Sequence, residues 1–376
     1  MLRSQATYPF VRLNQAAAER RARGLEVIDF GMGDPREPTD PRIIEALREG
    51  VRERMGYPAA VGLPELREAV AEWAGRRFGI TLDPETHVIP TLGSKEAIFS
   101  FAQVVLDLAS GRDTVVTTEP GYLVTVRGAQ FAGARVEELP LLEQRCFLPD
   151  LESVPAEMRR RTALVWVNYP NNPTGVTAPL AFYDQLAALA RDDFVLASDE
   201  AYSELWFDEP PASALQMTGW TSVAVFNTLS KRSSMTGYRS GFVAGDPELI
   251  AALTRFRPNV GTAPQEFVQR ASVVAWADEE HVERARAAYA RKRALFLYTF
   301  ARVGLRDAGG LATEYLWVAV PDGGHVGGLR NPATGARHPR CARIVPRRLR
   351  RGLRALCPRF HRGRVRAAVE APERLF

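Results

Sequence analysis

Between residues 88 and 244 the chain repeats one pattern: a short apolar run, a polar or glycine-bearing turn, then a longer stretch with apolar residues three and four apart. The short runs predict strands at 88–90, 114–117, 135–137, 163–167, 194–197, 223–226 and 240–244. The longer stretches predict helices, clearest at 96–108 and 180–191. Strand alternating with helix argues for a mostly parallel sheet covered on both faces. Before this region the pattern predicts a helical arm over 10–23, an apolar stretch at 25–30 and a turn-rich loop at 31–35. Helices are then expected over 41–54 and 64–78, the second opening on Pro64 and apolar at Leu66, Val70 and Trp73. After it come a long helix over 279–303 and a strand over 313–320.

Ligands of such sheets sit beyond the carboxyl ends of the strands, and the polar residues there form a specific set. Asn171-Asn172-Pro173-Thr174-Gly175 follows one buried strand, and Ser198-Asp199-Glu200-Ala201-Tyr202 ends the next. Thr228-Leu229-Ser230-Lys231 follows a third, with Arg239 eight residues beyond the lysine. An amide, a carboxylate, a phenol, an amine and a guanidinium at one sheet edge suit a pyridine aldehyde phosphate, pyridoxal 5'-phosphate. Lys231 is the candidate Schiff-base former and proton carrier, since an amine in such a loop can attack an aldehyde carbon. Asp199 would pair with the ring nitrogen and keep it protonated, so that the ring withdraws electrons from the substrate carbon. Tyr202 and Asn172 would hydrogen-bond the ring's phenolate oxygen.

The phosphate needs positive charge and backbone amides. Gly93, Ser94 and Lys95 stand between a strand and an apolar helix, where the first amides of the helix would face an anion. Thr228, Ser230 and Arg239 would add hydroxyls and a bidentate guanidinium. Tyr122, in the loop after Glu119-Pro120-Gly121, could stack on the ring. Each signal has a plainer reading when taken alone. The lysine could be solvated, Asp199 a helix cap, Asn-Pro and Thr-Gly simple turns, Tyr122 a core aromatic. Their order and spacing carry the argument.

Composition changes the picture in one place. The 376 residues allow one large and one smaller domain, and the 46% apolar content is that of an ordinary globular protein. No apolar run approaches the roughly 20 residues of a membrane-spanning helix. The first residues are polar, so a cytoplasmic protein is expected. Cys146, Cys341 and Cys357 are too widely spaced for a disulfide framework, and no metal is expected. The net charge of +5, however, has an uneven source. Residues 325–376 hold 14 Arg, no Lys and only Glu370 and Glu373 as acids, a balance of +12. The remaining 324 residues carry 35 Lys and Arg against 42 Asp and Glu. That mildly acidic body gives no reason to expect a nucleic-acid partner. The tail has the look of a shifted reading frame in a GC-rich gene, with clusters such as Arg347-Arg348-Leu349-Arg350-Arg351.

With its three motifs in this order and spacing, the chain resembles the class I/II aminotransferases of the fold type I pyridoxal phosphate enzymes, from about residue 9 to 321. The resemblance implies a three-layer α/β/α large domain with a mostly parallel sheet plus a smaller α+β domain. It divides the chain into an arm and part of the small domain at 1–35, a large cofactor-binding domain at 36–278, the start of the C-terminal small domain at 279–324 and the aberrant tail at 325–376. It also implies a homodimer with shared active sites, Tyr57 reaching the phosphate of the neighbouring subunit. Gly33 would lie against the substrate carboxylate. The family's carboxylate-clamping arginine has Arg354 as its candidate here, within Leu353-Arg354-Ala355-Leu356.

Gly56-Tyr57-Pro58, Gly93-Ser94-Lys95-Glu96 and Arg257-Pro258-Asn259-Val260-Gly261 are most similar to the N-succinyldiaminopimelate aminotransferases of lysine and cell-wall biosynthesis. The expected reaction moves an amino group from an amino acid, glutamate, to a keto acid. Alternatives are another amino-acid aminotransferase or a carbon–sulfur β-lyase on the same scaffold. A catalytically dead or ligand-sensing relative is the alternative from another class.

Overall fold

The computed structural model describes residues 9–27, 33–151 and 153–319, together with the backbone of 353–356. Half of the apolar stretch expected at 25–30 and nearly all of the tail lie outside the described residues. The strands are β1 (Val88–Thr91), β2 (Thr114–Glu119), β3 (Arg135–Pro140), β4 (Thr162–Asn168), β5 (Val195–Asp199), β6 (Val223–Thr228), β7 (Gly241–Gly245), β8 (Arg306–Asp307), β9 (Leu316–Ala319) and β10 (Leu353–Leu356). The helices are α1 (Pro9–Ala22), α2 (Pro41–Gly50), α3 (Pro64–Phe78), α4 (Ser94–Val105), α5 (Leu123–Phe131), α6 (Ala156–Arg161), α7 (Leu180–Asp193), α8 (Leu229–Arg232), α9 (Pro247–Phe256), α10 (Glu266–Ala277) and α11 (Glu280–Arg302).

All seven expected strands pair into one sheet, in the order β1-β7-β6-β5-β4-β2-β3. Strands β2 to β6 run parallel, while β7 is antiparallel to both of its neighbours. The chain therefore leaves β1, β2, β4, β5 and β6, and enters β7, at the same edge of the sheet. Alternation within the strands builds the layers. On β4, Leu164 and Trp166 join a core with Ile98 and Phe101 of α4 and Ile250 of α9. Val165 and Val167 point the other way, into a core with Val70 and Trp73 of α3, Leu186 of α7 and Trp276 of α10. An apolar strand buried on both faces needs helices on both sides, and that demand is met. Leu66, Val70 and Trp73 are all buried, as the helical spacing predicts.

Two differences from the sequence pattern have physical reasons. Helix α2 ends at Gly50 rather than at 54, because Val51 turns extended. A Cβ at Gly50 would stand 3.0 Å from the Phe267 backbone, so the glycine lets α2 and α10 pack closely. The strand expected over 313–320 is described as Leu316–Ala319, preceded by a turn that holds Glu314. In the smaller three-stranded sheet β9 lies between β10 and β8, antiparallel to both. Among the described residues, no helix is long and apolar enough to cross a membrane.

Candidate active site

The strand ends converge on Lys231. Thr228 closes β6 and caps α8: its hydroxyl accepts from the Ser230 amide at 3.1 Å and donates to the Ser240 carbonyl at 2.9 Å. That hydroxyl is held by the protein's own loop. Ser230 and Lys231 follow in the turn it fixes. The Lys231 Nζ lies 5.5 Å from the centre of the buried Tyr202 ring. It donates to Glu314 Oε1 at 2.8 Å and to the carbonyl of Gly33.

Asp199 ends β5 with only 3% of its surface exposed. Its carboxylate accepts the Ala201 amide at 3.2 Å, and desolvation pushes its pKa up to about 7. A carboxylate stripped of water with no cation beside it favours the neutral form. The same geometry makes it a strong partner for a cationic ring nitrogen. Residues 200–204 form turns, so Asp199 caps no helix there. Asn168, at the end of β4, joins the neighbouring strand ends: its Nδ2 donates to the Asp199 carbonyl at 2.9 Å and its Oδ1 accepts the Asn172 amide at 2.8 Å. Asn168 thereby ties the Asn172 backbone to the end of β5.

The other half of the site is built for an anion. Helix α4 begins at Ser94, with Gly93 as its cap and no side chain covering its first amides. Gly93 has φ 73°, and a Cβ there would come within 2.5 Å of Arg239 Nη2. Only glycine meets both conditions. Arg239 itself has φ 58°, a left-handed conformation that costs a non-glycine residue about 1–2 kcal/mol. Its guanidinium is held by the Thr236 carbonyl at 2.8 Å and the Leu92 carbonyl at 3.1 Å, with Ser230 Oγ at 3.5 Å. Amides at a helix N-terminus, a hydroxyl and a guanidinium are the groups of which a phosphate cradle is made. Lys95 is exposed. Tyr122 stands at the start of α5, beyond the end of β2.

Two expected residues lie apart from this centre, and a third, Gly33, meets it through its carbonyl, which accepts from Lys231 Nζ. Tyr57 is fully exposed and contributes nothing to the site of its own chain. Arg354 is placed only by its backbone, opposite Val318 of β9. Gly33 lies tightly packed: a Cβ there would overlap the Tyr315 hydroxyl and stand 2.6 Å from Glu314 Oε1.

Sequence reasoning missed Asn168 and Glu314, each a lone polar residue beside an apolar run. It also missed what supports the lysine loop. Arg232, 1% exposed, donates to the Ala275 carbonyl at 2.5 Å, the Asp278 carbonyl at 3.2 Å and Glu279 Oε1 at 2.6 Å. Ser233 meets His281 Nε2 at 2.8 Å, and His281 Nδ1 meets Asp278 Oδ2 at 2.5 Å. This Ser–His–Asp line runs from buried Ser233 and His281 to partly exposed Asp278 and anchors the loop to the α10–α11 junction.

The residues present fit pyridoxal phosphate. The cradle suits its phosphate, the desolvated Asp199 its ring nitrogen, and Lys231 its aldehyde. Comparison with known proteins agrees. The family model "Aminotransferase class I and II" matches residues 26–321. An LL-diaminopimelate aminotransferase of Aquifex aeolicus is 40% identical over 322 residues, 84% of this chain and 82% of the relative. One from Nitratidesulfovibrio vulgaris is 39% identical over 323 residues, with the same shares covered. These relatives bear the LL-diaminopimelate name and not the N-succinyl name expected from the motifs. Among solved structures, an aminotransferase from Neisseria meningitidis has a TM-score of 0.79 at 36% identity, covering 86% of this chain and 84% of its own. An aspartate aminotransferase of Thermus thermophilus with maleate has a TM-score of 0.84 at 28% identity, covering 100% of this chain and 98% of its own. The chain therefore belongs to the class I and II aminotransferases, transaminases of the fold type I architecture that depend on pyridoxal phosphate.

Proposed function

We propose that this aminotransferase exchanges an amino group between LL-diaminopimelate and a keto acid, with glutamate and its keto acid as the second pair, in the biosynthesis of lysine. The relatives named for LL-diaminopimelate support that substrate over its N-succinyl derivative. The observation that carries the chemistry is the convergence of Lys231, Asp199, Tyr202, Asn172 and the Arg239 cradle on one edge of the sheet.

When bound, pyridoxal phosphate supplies an electron sink for the pair left on the substrate α-carbon as that carbon loses its proton. Every other task falls to this chain's side chains. Ser230, Arg239 and the Ser94 and Lys95 amides hold the phosphate. Tyr122 packs against the ring, while Asn172 and Tyr202 donate to its phenolate oxygen. Asp199 keeps the ring nitrogen protonated, and burial makes that pairing strong because nothing else there neutralises it. Lys231 Nζ would take the α-proton and return it across the substrate nitrogen, on the carbon of the cofactor side. Gly33 presents backbone to the substrate carboxylate, and Arg354 clamps it. Residues 36–278 form the large domain and 279–324 the start of the small one, and residues 325–376 are a frame-shifted tail. The family match ends at residue 321, just ahead of that tail. Tyr57, exposed on its own chain, reaches the phosphate of a second copy in a homodimer.

The test is spectroscopic. Pyridoxal phosphate added to the purified chain should give the visible absorption of a lysine-bound cofactor, and Lys231→Ala should not. LL-diaminopimelate or glutamate should bleach that band and leave pyridoxamine phosphate, while N-succinyl-LL-diaminopimelate should leave it intact. Bleaching by the succinyl derivative and not by the free diamino acid would reverse the substrate assignment. Product release without pyridoxamine phosphate would mark a lyase.

A further inference from the structure

Glu314 has no place in the chemistry above, yet it is the closest charged partner of Lys231. Its side chain is fully buried, and its Oε1 accepts from Lys231 Nζ at 2.8 Å. Its other oxygen, Oε2, is buried without a hydrogen-bond partner among the described residues. The only cation it meets among the described residues is that ammonium, which also donates to the Gly33 carbonyl. A buried carboxylate whose one counter-ion is withdrawn is left uncompensated, among the costliest single changes a protein interior can suffer.

We propose that Glu314 is a positioning residue for Lys231, a counter-ion that holds the amine while it is not bonded to the cofactor and competes with covalent capture. The atom balance shows why the two states exclude each other. Capture joins the lysine nitrogen to the aldehyde carbon by a double bond, and the aldehyde oxygen leaves as water. Two of the three ammonium hydrogens leave in that water. The ammonium now uses two of its N–H bonds on Glu314 Oε1 and the Gly33 carbonyl. After capture only one N–H remains, too few for both contacts. Glu314 thus favours the uncaptured lysine. It also offers the amine a fixed resting point each time the incoming amino group of a substrate displaces it.

The position of Glu314 gives the pair a second consequence. The glutamate stands just before β9 in the smaller sheet, Gly33 belongs to the segment before α2, and Lys231 lies on α8 of the large sheet. One ammonium ties the three together. Its loss on capture releases that tie.

The experiment compares the full-length wild-type chain with Glu314→Gln, which keeps the shape and removes the charge. Two readouts are taken on cofactor-free protein. One is the rate at which Lys231 is acetylated by acetic anhydride, read by peptide mass spectrometry. The other is the affinity for pyridoxal phosphate, read from the visible band. Glu314→Gln should speed acetylation of Lys231 severalfold and tighten cofactor capture by about tenfold. A merely damaged fold would weaken capture, the opposite direction. Unchanged acetylation together with equal or weaker capture would overturn the proposal. Faster acetylation with no band in either protein would uphold the Glu314–Lys231 pairing and sink the pyridoxal phosphate assignment for this chain.

Discussion

The cofactor edge of the large sheet and the proposed substrate side around Gly33, Glu314 and β10 are built in different ways. At the cofactor edge each strand delivers its own residue: β1 leads to Gly93 and Ser94, β4 to Asn168 and Asn172, β5 to Asp199 and Tyr202, β6 to Ser230 and Lys231. Each is fixed by bonds to the loop next door, such as Asn168 to Asp199 and Arg239 to Leu92. The substrate side is assembled from segments nearly three hundred residues apart, meeting at one ammonium. A cofactor of constant shape can be met by short motifs at strand ends. A substrate that must enter and leave is met by separate pieces brought together by tertiary packing.

The sharpest way to break this contrast is to ask whether the cofactor edge is strained before its ligand arrives. Asp199 carries the answer, because burial pushes its carboxyl up to about 7 from the ordinary 3.8. An acid whose folded pKa is raised binds more protons folded than unfolded between those two values. Stability of the cofactor-free chain should therefore be highest below about pH 4 as far as this group is concerned, and fall as pH rises to about 7. The full span is about 4 kcal/mol. Glu200, also pushed up to about 7 by burial, slopes the same way, so the share of Asp199 is the difference from Asp199→Asn. Urea unfolding of both proteins at pH 5 and pH 8 measures it. Equal slopes would mean that Asp199 is as well solvated as any surface acid.

Much of this was legible in the sequence, and the reason lies in the strands. Runs such as 163–167 are apolar on both faces, which only a sandwiched strand tolerates, so the polar residues that follow must stand at its end. That places Asn172, Asp199 and Lys231 without any knowledge of packing. Asn168 was missed because it reads as the last residue of a strand; its two hydrogen bonds run to neighbouring strand ends, which no local pattern reports. Glu314 was missed for a related reason. It is one acid ahead of the apolar run Leu316–Ala319, and its partner lies 83 positions away. Thr228 shows a related limit: its hydroxyl bonds Ser230 and Ser240 within its own loop, which its place after a strand does not report. A motif names the residue type at a place but not which of its neighbours it serves.

The support beneath the lysine loop allows a smaller test. Arg232 is packed near the rings of Trp73 and Trp276, 5.9 and 5.0 Å from their centres, while its guanidinium caps the last carbonyls of α10. Arg232→Met keeps the bulk and abandons those carbonyls and Glu279. The loss should be about 2–3 kcal/mol of stability, since buried acceptors go unpaired. Cofactor affinity should fall with it, as Lys231 is the adjacent residue. A variant as stable as the wild type would show that the α10–α11 junction holds the loop without the arginine.

The smallest expected effect falls on Tyr57, and it turns on whether the site is complete in one chain. On the isolated chain this tyrosine is fully exposed, so removing its hydroxyl should not change the stability of the fold. If two copies share their active sites, Tyr57→Phe removes one hydrogen bond to a phosphate and should weaken cofactor binding by about tenfold. The loss should appear only at protein concentrations where sedimentation shows a dimer. Dilution to monomer should bring wild type and variant to the same affinity, because neither then has a tyrosine from another copy to offer. If the two proteins differ equally at every concentration, Tyr57 acts within its own chain and the shared-site arrangement is wrong. If they never differ, the phosphate is held entirely by Ser230, Arg239 and the first amides of α4, and the cofactor edge is self-sufficient after all.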